Sequence, residues 1–305
     1  MLPDSIMLGD IKPVLSTYLS DAVSMLDPGR IPDEKNIHDV RVLMKKSRAT
    51  IKLLRTQMDR KSFIKEYNTF REVGRIMMLW RETSVHRKLL KGLRKKHGRL
   101  FSRLTSNEKV NSLLFSKEVE NDNLDQFREQ QENIIILLNK SFYRIRFMQL
   151  GNPDPSMVFK ELARTYDNVT DCYLKARYFM KSTDLHTFRK RIKDFLFQLT
   201  FFRALNPKVI KSIEKQLDSL GQNLGKYNDH AVLIRNLDYK FTSGKNSDAL
   251  DELIIIVKQE QDKYLSKVWP VAYKFFRPGK ILTGILGFKS TDSNSYQLLA
   301  NLLKP

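Results

Sequence analysis

His38-Asp-Val-Arg41-Val-Leu-Met-Lys45-Lys46-Ser-Arg48-Ala-Thr-Ile-Lys52-Leu-Leu-Arg55 is a stretch of 18 residues whose pattern returns 148 positions later, from His186 through Arg189 and Lys193 to Arg203. In both copies a His is followed by Arg at +3, Lys at +7 and Arg at +17. An α-helix advances about 100° per residue, which puts these four at roughly 0°, 300°, 340° and 260° around the axis. Arg48 and Lys52 fall near 280° and 320°, so the first copy carries a cationic stripe about 100° wide. Val40, Leu43, Met44, Ile51 and Leu54 occupy roughly 140° to 240°, the width of a core-facing face. Phe188, Ile192, Phe195, Leu199 and Phe202 do the same in the second copy. The spacing predicts two helices that each bury one face and carry a row of cations on the flank.

The charge balance points the same way. The 305 residues hold 54 Lys and Arg against 34 Asp and Glu, a formal charge of +20, and residues 35–105 alone hold 21 against 5. A concentrated surplus of this size repels itself unless anions lie close by, so a polyanionic partner is the first inference. Apolar residues make up 41% of the chain, with only 12 Gly and 10 Pro, a composition that suits a helix-rich folded protein. A single cysteine, Cys172, excludes an internal disulfide framework and any multi-cysteine metal site. The N-terminus lacks the basic and apolar blocks of a signal peptide. The longest apolar runs, Ile134 to Leu138 and Leu253 to Val257, are far too short to span a membrane. A soluble, cytoplasmic protein is expected.

Read in order, residues 5–26 have helical spacing with a kink or split at Pro13, and Asn36 is the expected cap of the motif helix, which should end near Met58. Further helices are expected over Ser62 to Glu82, Ser84 to Leu104, and Glu108 to Leu150, the last with a break near Asn121 to Asn123. Gly151-Asn-Pro-Asp-Pro155 is the strongest punctuation and marks the boundary between halves 1–150 and 151–305. Ser156 to Met180 follows, then Ser182-Thr183-Asp184 as the cap cluster of the second motif helix, and Asn206-Pro207 ends that helix and begins another. Thr242 to Ser247 reads as a loop. Asp248 to Trp269 reads as a helix ended by Pro270, and the tail from Arg277 as less regular. No segment alternates as a strand does.

A second repeat supports the first. Val73-Gly-Arg-Ile-Met-Met-Leu-Trp-Arg81-Glu82-Thr-Ser-Val85 overlays Leu220-Gly-Gln-Asn-Leu-Gly-Lys-Tyr-Asn228-Asp229-His-Ala-Val232 at an offset of 147. Two motifs in the same order at nearly one offset indicate structural repeats: an all-α chain of two pseudo-symmetric helical bundles.

Taken together, His38-x-x-Arg41-x-x-x-Lys45-x-x-Arg48 with Gly74 to Glu82, and His186-x-x-Arg189-Lys190-x-x-Lys193 with Gly221 to Asp229, resemble the CHAD domain, the conserved histidine α-helical domain. The resemblance spans about residues 5–270. It implies two four-helix bundles flanking a basic central groove, and binding of inorganic polyphosphate by the motif His, Arg and Lys side chains. Leu196 and Thr200 stand where the first copy has Arg48 and Lys52, so the second stripe is thinner. The Glu-x-Glu-x-Lys signature of the triphosphate-processing domain often fused to this family is absent.

The chemistry fits a phosphate polymer, which needs many cations in a row and no deep pocket. Guanidinium groups give two-point contacts to phosphate, and ammonium groups give compact charges. The expected binding set is His38, Arg41, Lys45, Arg48, Lys52 and Arg55 on the first helix, and His186, Arg189, Lys190, Lys193 and Arg203 on the second. Lys46, Arg75, Arg81 and Lys226 form an outer set. The plainer reading, a solvated charged flank, normally intersperses acids, and this stripe has none. The histidines have neither the partners of a metal site nor a nucleophile and orienting acid, and the neighbouring cations should keep them neutral. They are read as phosphate contacts near a helix N-terminus. Trp80 and Tyr227 read as core residues. The expected function is non-catalytic polyphosphate binding without a metal or other cofactor, with polyphosphate granules one place to find it. A nucleic-acid-binding protein using the same cations is the rival, and a polyphosphate-processing enzyme ranks behind it.

Overall fold

The computed structural model describes residues 8–27, 29–80, 82–105, 107–115, 124–149, 153–237 and 247–288, and every regular element among them is helical. The α-helices are α1 (Ile11–Ser24), α2 (Glu34–Leu53), α3 (Arg60–Leu79), α4 (Glu82–Lys96), α5 (Gly98–Arg103), α6 (Glu108–Phe115), α7 (Leu124–Arg146), α8 (Pro155–Phe179), α9 (Ser182–Leu199), α10 (Pro207–Leu237), α11 (Ser247–Phe276) and α12 (Leu282–Ile285). Among the described residues, no helix is long and apolar enough to cross a membrane.

Aspartates start three of these helices. The Asp33 carboxylate accepts from the Asn36 backbone N–H at 2.7 Å, so α2 begins at Glu34, and Asn36 lies inside the helix instead of capping it. Asp59 caps α3 at Ser62 N (3.0 Å) and Asp154 caps α8 at Ser156 N (2.9 Å), with Pro155 in the first turn. Each such cap satisfies a donor that the helix cannot satisfy itself and contributes about 1 kcal/mol. Lys181, not the Ser182-Thr183-Asp184 cluster, occupies the N-cap of α9, and Asp184 sits in the first turn where its charge suits the helix dipole.

The helix ends also depart from the periodicity. Pro13 sits within the first turn of α1, where its missing N–H costs nothing. The first motif helix stops at Leu53, and the second gives way at Thr200 to a 3₁₀ segment, Thr200–Leu205. Pro270 does not end α11, which runs on to Phe276. A proline inside a helix costs about 3 kcal/mol, and the burial of Ala272, Phe275 and Phe276 beyond it offsets that cost. The Ser84 to Leu104 segment is broken into α4 and α5 at His97, and the 121–123 and 242–246 segments lie outside the described residues.

The predicted core faces are buried. Val40, Met44 and Ile51 of α2, and Phe188, Ile192, Phe195 and Leu199 of α9, are fully inaccessible within one cluster that draws on both 1–150 and 151–305. In it α2 packs on α1, α3 and α9, while α9 packs on α8 and α10. The ring of Phe276 meets those of Tyr166, Tyr173 and Phe188 at centroid separations of 5.9, 6.4 and 5.9 Å. A second, smaller cluster joins Leu90, Leu93, Leu100, Phe101, Leu104, Val110 and Leu114 of the α4–α6 region to Leu233 and Leu237 of α10 and Leu253 and Val257 of α11. The α4–α6 segment thus rests on helices of the second half.

Two side-chain contacts tie the second halves of the motif helices together. Gln198 Nε2 donates to the Ala49 carbonyl at 2.8 Å in a fully buried setting, and Lys52 Nζ meets Asp194 at 2.6 Å. Phe276→Ala should cost about 3–5 kcal/mol in chemical denaturation, as expected for removing a fully buried aromatic; a cost under 1 kcal/mol would mean that α11 is not packed beyond Pro270.

Candidate functional site

The first fully formed feature of the motif is a pair of matching contacts. Arg41 Nη1 donates to the Gly74 carbonyl at 2.9 Å, and Arg189 Nε donates to the Gly221 carbonyl at 3.2 Å. Each Arg therefore reaches from its motif helix to the glycine that opens the second repeated stretch. On α10 the glycines are needed for space. A Cβ on Gly225 would stand 3.0 Å from Arg189 Nη2, and one on Gly221 would stand 2.9 Å from Lys193 Cε. The two side chains lie across a helix surface that the missing Cβ atoms leave open.

Lys190 stands among several cations. Its amine is pushed below the ordinary lysine range by partial burial first, and then by the repulsion of Arg48, Arg191, Arg189 and Arg71. These groups come from α2, α9 and α3, so the fold gathers cations that lie up to 143 positions apart in sequence, Arg48 to Arg191. The Nε of Arg48 is buried and has no hydrogen-bond partner among the described residues. Crowded like charges with unmet donors are the condition under which a bound anion gains most.

His186 lies at the edge of this field. Burial, followed by the charges of Lys190 and Arg189, lowers its pKa from 6.5 to about 4, against a smaller opposing hydrogen bond to the Asn228 side chain; Arg235 depresses it further. The imidazole is neutral at physiological pH, and its buried Nδ1 has no hydrogen-bond partner among the described residues. Because the folded-state pKa lies below that of an exposed His, the unfolded chain takes up the proton first, and this group makes folding less favourable as pH falls from about 6.5 toward 4. His38, one turn into α2, is exposed.

Other expected site residues take structural partners. Lys52 pairs with Asp194, which Arg191 also approaches at 3.4 Å. Lys193 pairs with Asp218 of α10 at 2.7 Å. Arg203 sits on the 3₁₀ segment and contacts both carboxylate oxygens of Glu214 at 3.0 Å through Nε. Arg55 also lies past its helix end and covers the Phe63 ring at 5.8 Å. Lys45 is half-buried on α2. Of the outer set, Lys46 faces away from the stripe over the Tyr18 ring at 5.5 Å. Arg75 is exposed and paired with Glu72 at 2.6 Å, and Lys226 lies over the Tyr264 ring at 5.3 Å. Arg81 lies outside the described residues. Leu196 and Thr200 have structural uses: Leu196 is in the core, and the Thr200 hydroxyl donates to the Phe197 carbonyl at 2.8 Å.

Beyond Lys52 and Arg55 a cleft of about 330 Å³ opens between α2, α3, α8 and α9, lined in part by Tyr67, Arg164, Arg191 and Asp194. Arg71, Arg164, Arg191 and Arg235 are cations that the motif spacing did not select. Arg71 and Arg235 lie on neighbouring helices. Arg191, at +5 in the second copy, corresponds to Leu43 in the first, so the repeat itself hid it.

The CHAD domain family model matches residues 18–238. The chain belongs to the CHAD family. No curated protein matches the sequence. The family match covers both motif helices and ends after α10, so the cluster around Lys190 lies wholly within the CHAD region.

The histidine supplies a direct readout. In the free protein the His186 ring resonances should titrate near pH 4, and saturating tripolyphosphate should move the midpoint upward, because an adjacent anion favours imidazolium. A midpoint near 6.5 in the free protein would mean that the ring is not held in this cationic field.

Proposed function

We propose that this CHAD protein binds inorganic polyphosphate, without turning it over, in a groove between α2 and α9. The observation that carries this reading is the crowding of Arg48, Arg71, Arg189 and Arg191 around Lys190, drawn from three helices with no carboxylate among the charges that shift its amine. A chain with a negative charge on every unit can answer all of these cations at once, while a single phosphate cannot. Arg41 and Arg189, each anchored on a glycine carbonyl, hold their guanidinium groups in fixed positions on the two walls. We read those matching contacts as the trace of an internal duplication, with residues 1–150 and 151–305 as its two copies. Asp194 and Asp218 are held by Lys52, Arg191 and Lys193, which supports a surface that binds phosphates and does not assemble a divalent metal for phosphoryl transfer.

Binding titrations at physiological salt should rank long-chain polyphosphate above single-stranded and duplex nucleic acid, with no orthophosphate released. Equal or tighter nucleic-acid binding would overturn the choice of ligand, and metal-dependent phosphate release would overturn the non-catalytic reading. Arg48→Ala with Lys190→Ala should weaken polyphosphate binding at least about tenfold and lower the log–log salt slope by about 1.4, two lost contacts at roughly 0.7 each.

Gly225→Ala separates binding from folding. Alanine is the better helix former by about 1 kcal/mol, but its Cβ displaces the Arg189 guanidinium. Thermal stability should hold or rise while polyphosphate affinity falls; unchanged affinity would remove Arg189 from the site.

A further inference from the structure

We infer that α4 and α5 form a second phosphate-chain surface outside the groove, which holds the overhang of a polyphosphate too long for the motif helices. This rests on the polyphosphate reading above and extends it to a part of the molecule that the repeated motif does not include. From Arg87 to Arg103 the sequence has eight Lys and Arg and no acid. Lys88, Lys91 and Lys95 recur at +3 and +7, the spacing of His38, Arg41 and Lys45, so they share a sector about 60° wide on α4. Lys91, Arg94, Lys95 and Arg99 are all exposed, and none makes an ion pair among the described residues. Beyond Lys88 the row lies on the open side of a helix whose other face is buried against α10 and α11.

The row begins where the motif helices begin. Lys88 Nζ contacts both carboxylate oxygens of Glu34 at 2.6 and 2.7 Å, one turn before His38 on α2. Two residues earlier on α4, His86 Nδ1 lies 3.3 Å from Asn236 Nδ2 of α10. Asn236 follows Arg235, the cation whose charge reaches His186. The start of α4 is therefore close to the His38 end of one wall and the His186 end of the other. From Lys88 the row runs outward for roughly 10 Å along α4 before Arg99 continues it. A flexible polyanion leaving the histidine ends of the groove meets cations about one helical turn apart, and the stretch from Arg87 to Arg103 itself carries no acid.

The test compares two probes on the full chain, tripolyphosphate and long-chain polyphosphate, with the triple variant K91E/K95E/R99E. All three side chains are exposed, so the thermal melt should not change. The variant should bind tripolyphosphate within about twofold of the parent. It should bind long-chain polyphosphate at least about tenfold more weakly, with a log–log salt slope smaller by about 2 or more, three contacts at roughly 0.7 each. Unchanged long-chain affinity would overturn the proposal while leaving the groove reading intact. Equal loss of both probes would also overturn it, because α4 would then act through the general field and not as a separate surface. Failure of the parent to bind either probe would sink the groove reading, and this proposal with it.

Discussion

Repulsion among the charges around Lys190 is the constraint on which the arrangement turns. Partial burial first, and then four guanidinium groups from three helices, push the pKa of one ammonium down. A fold that brings like charges together pays for them in stability unless packing elsewhere compensates. The compensation is visible on the buried sides of the same helices, where Val40, Met44, Ile51, Phe188, Ile192 and Phe195 are completely enclosed. Each motif helix therefore carries both terms. One face is fixed in the core, and that fixed face prevents the flank from swinging its cations apart.

Carboxylates divide the cations into two kinds. Asp194, Asp218 and Glu214 take Lys52, Lys193 and Arg203 into inter-element ion pairs. These pairs are partly shielded, where removing one partner is more damaging than the pair itself is stabilising. Lys190 is of the other kind: after burial, the charges that shift its amine are all cations, Arg48, Arg191, Arg189 and Arg71. Glycine enters the same division. Gly221 and Gly225 clear the surface of α10 so that long side chains from α9 can lie flat across it.

Much of this was legible in the sequence, because period and repetition are local properties. The two core faces, the all-helical class and the Arg41 and Arg189 positions follow from offsets along the chain. What escaped the sequence depends on neighbours. Asp33 takes the cap from Asn36 because its backbone is extended at that point. Pro270 stays inside α11 because aromatic rings beyond it are buried. Arg55 and Arg203 leave the stripe because both helices end before position +17. Lys46 points to Tyr18 because position +8 lies on the opposite flank. Arg71 approaches Lys190 only through the packing of α3, which no offset within a single helix could have shown, and Arg191, next to Lys190 on α9, was hidden because the first copy has Leu43 at the matching position.

The two apolar clusters also set an order of loosening. The cluster beneath α4–α6 is small and is built from short helices that lean on the ends of α10 and α11. The cluster beneath α2 and α9 is several helices deep. Subglobal opening follows the thinnest core first, so amide protons of α4 to α6 should exchange with solvent while those of α2 and α9 remain protected. The protein then has a shell that breathes on a faster clock than its centre, with the surface cations of α4 and α5 riding on the shell.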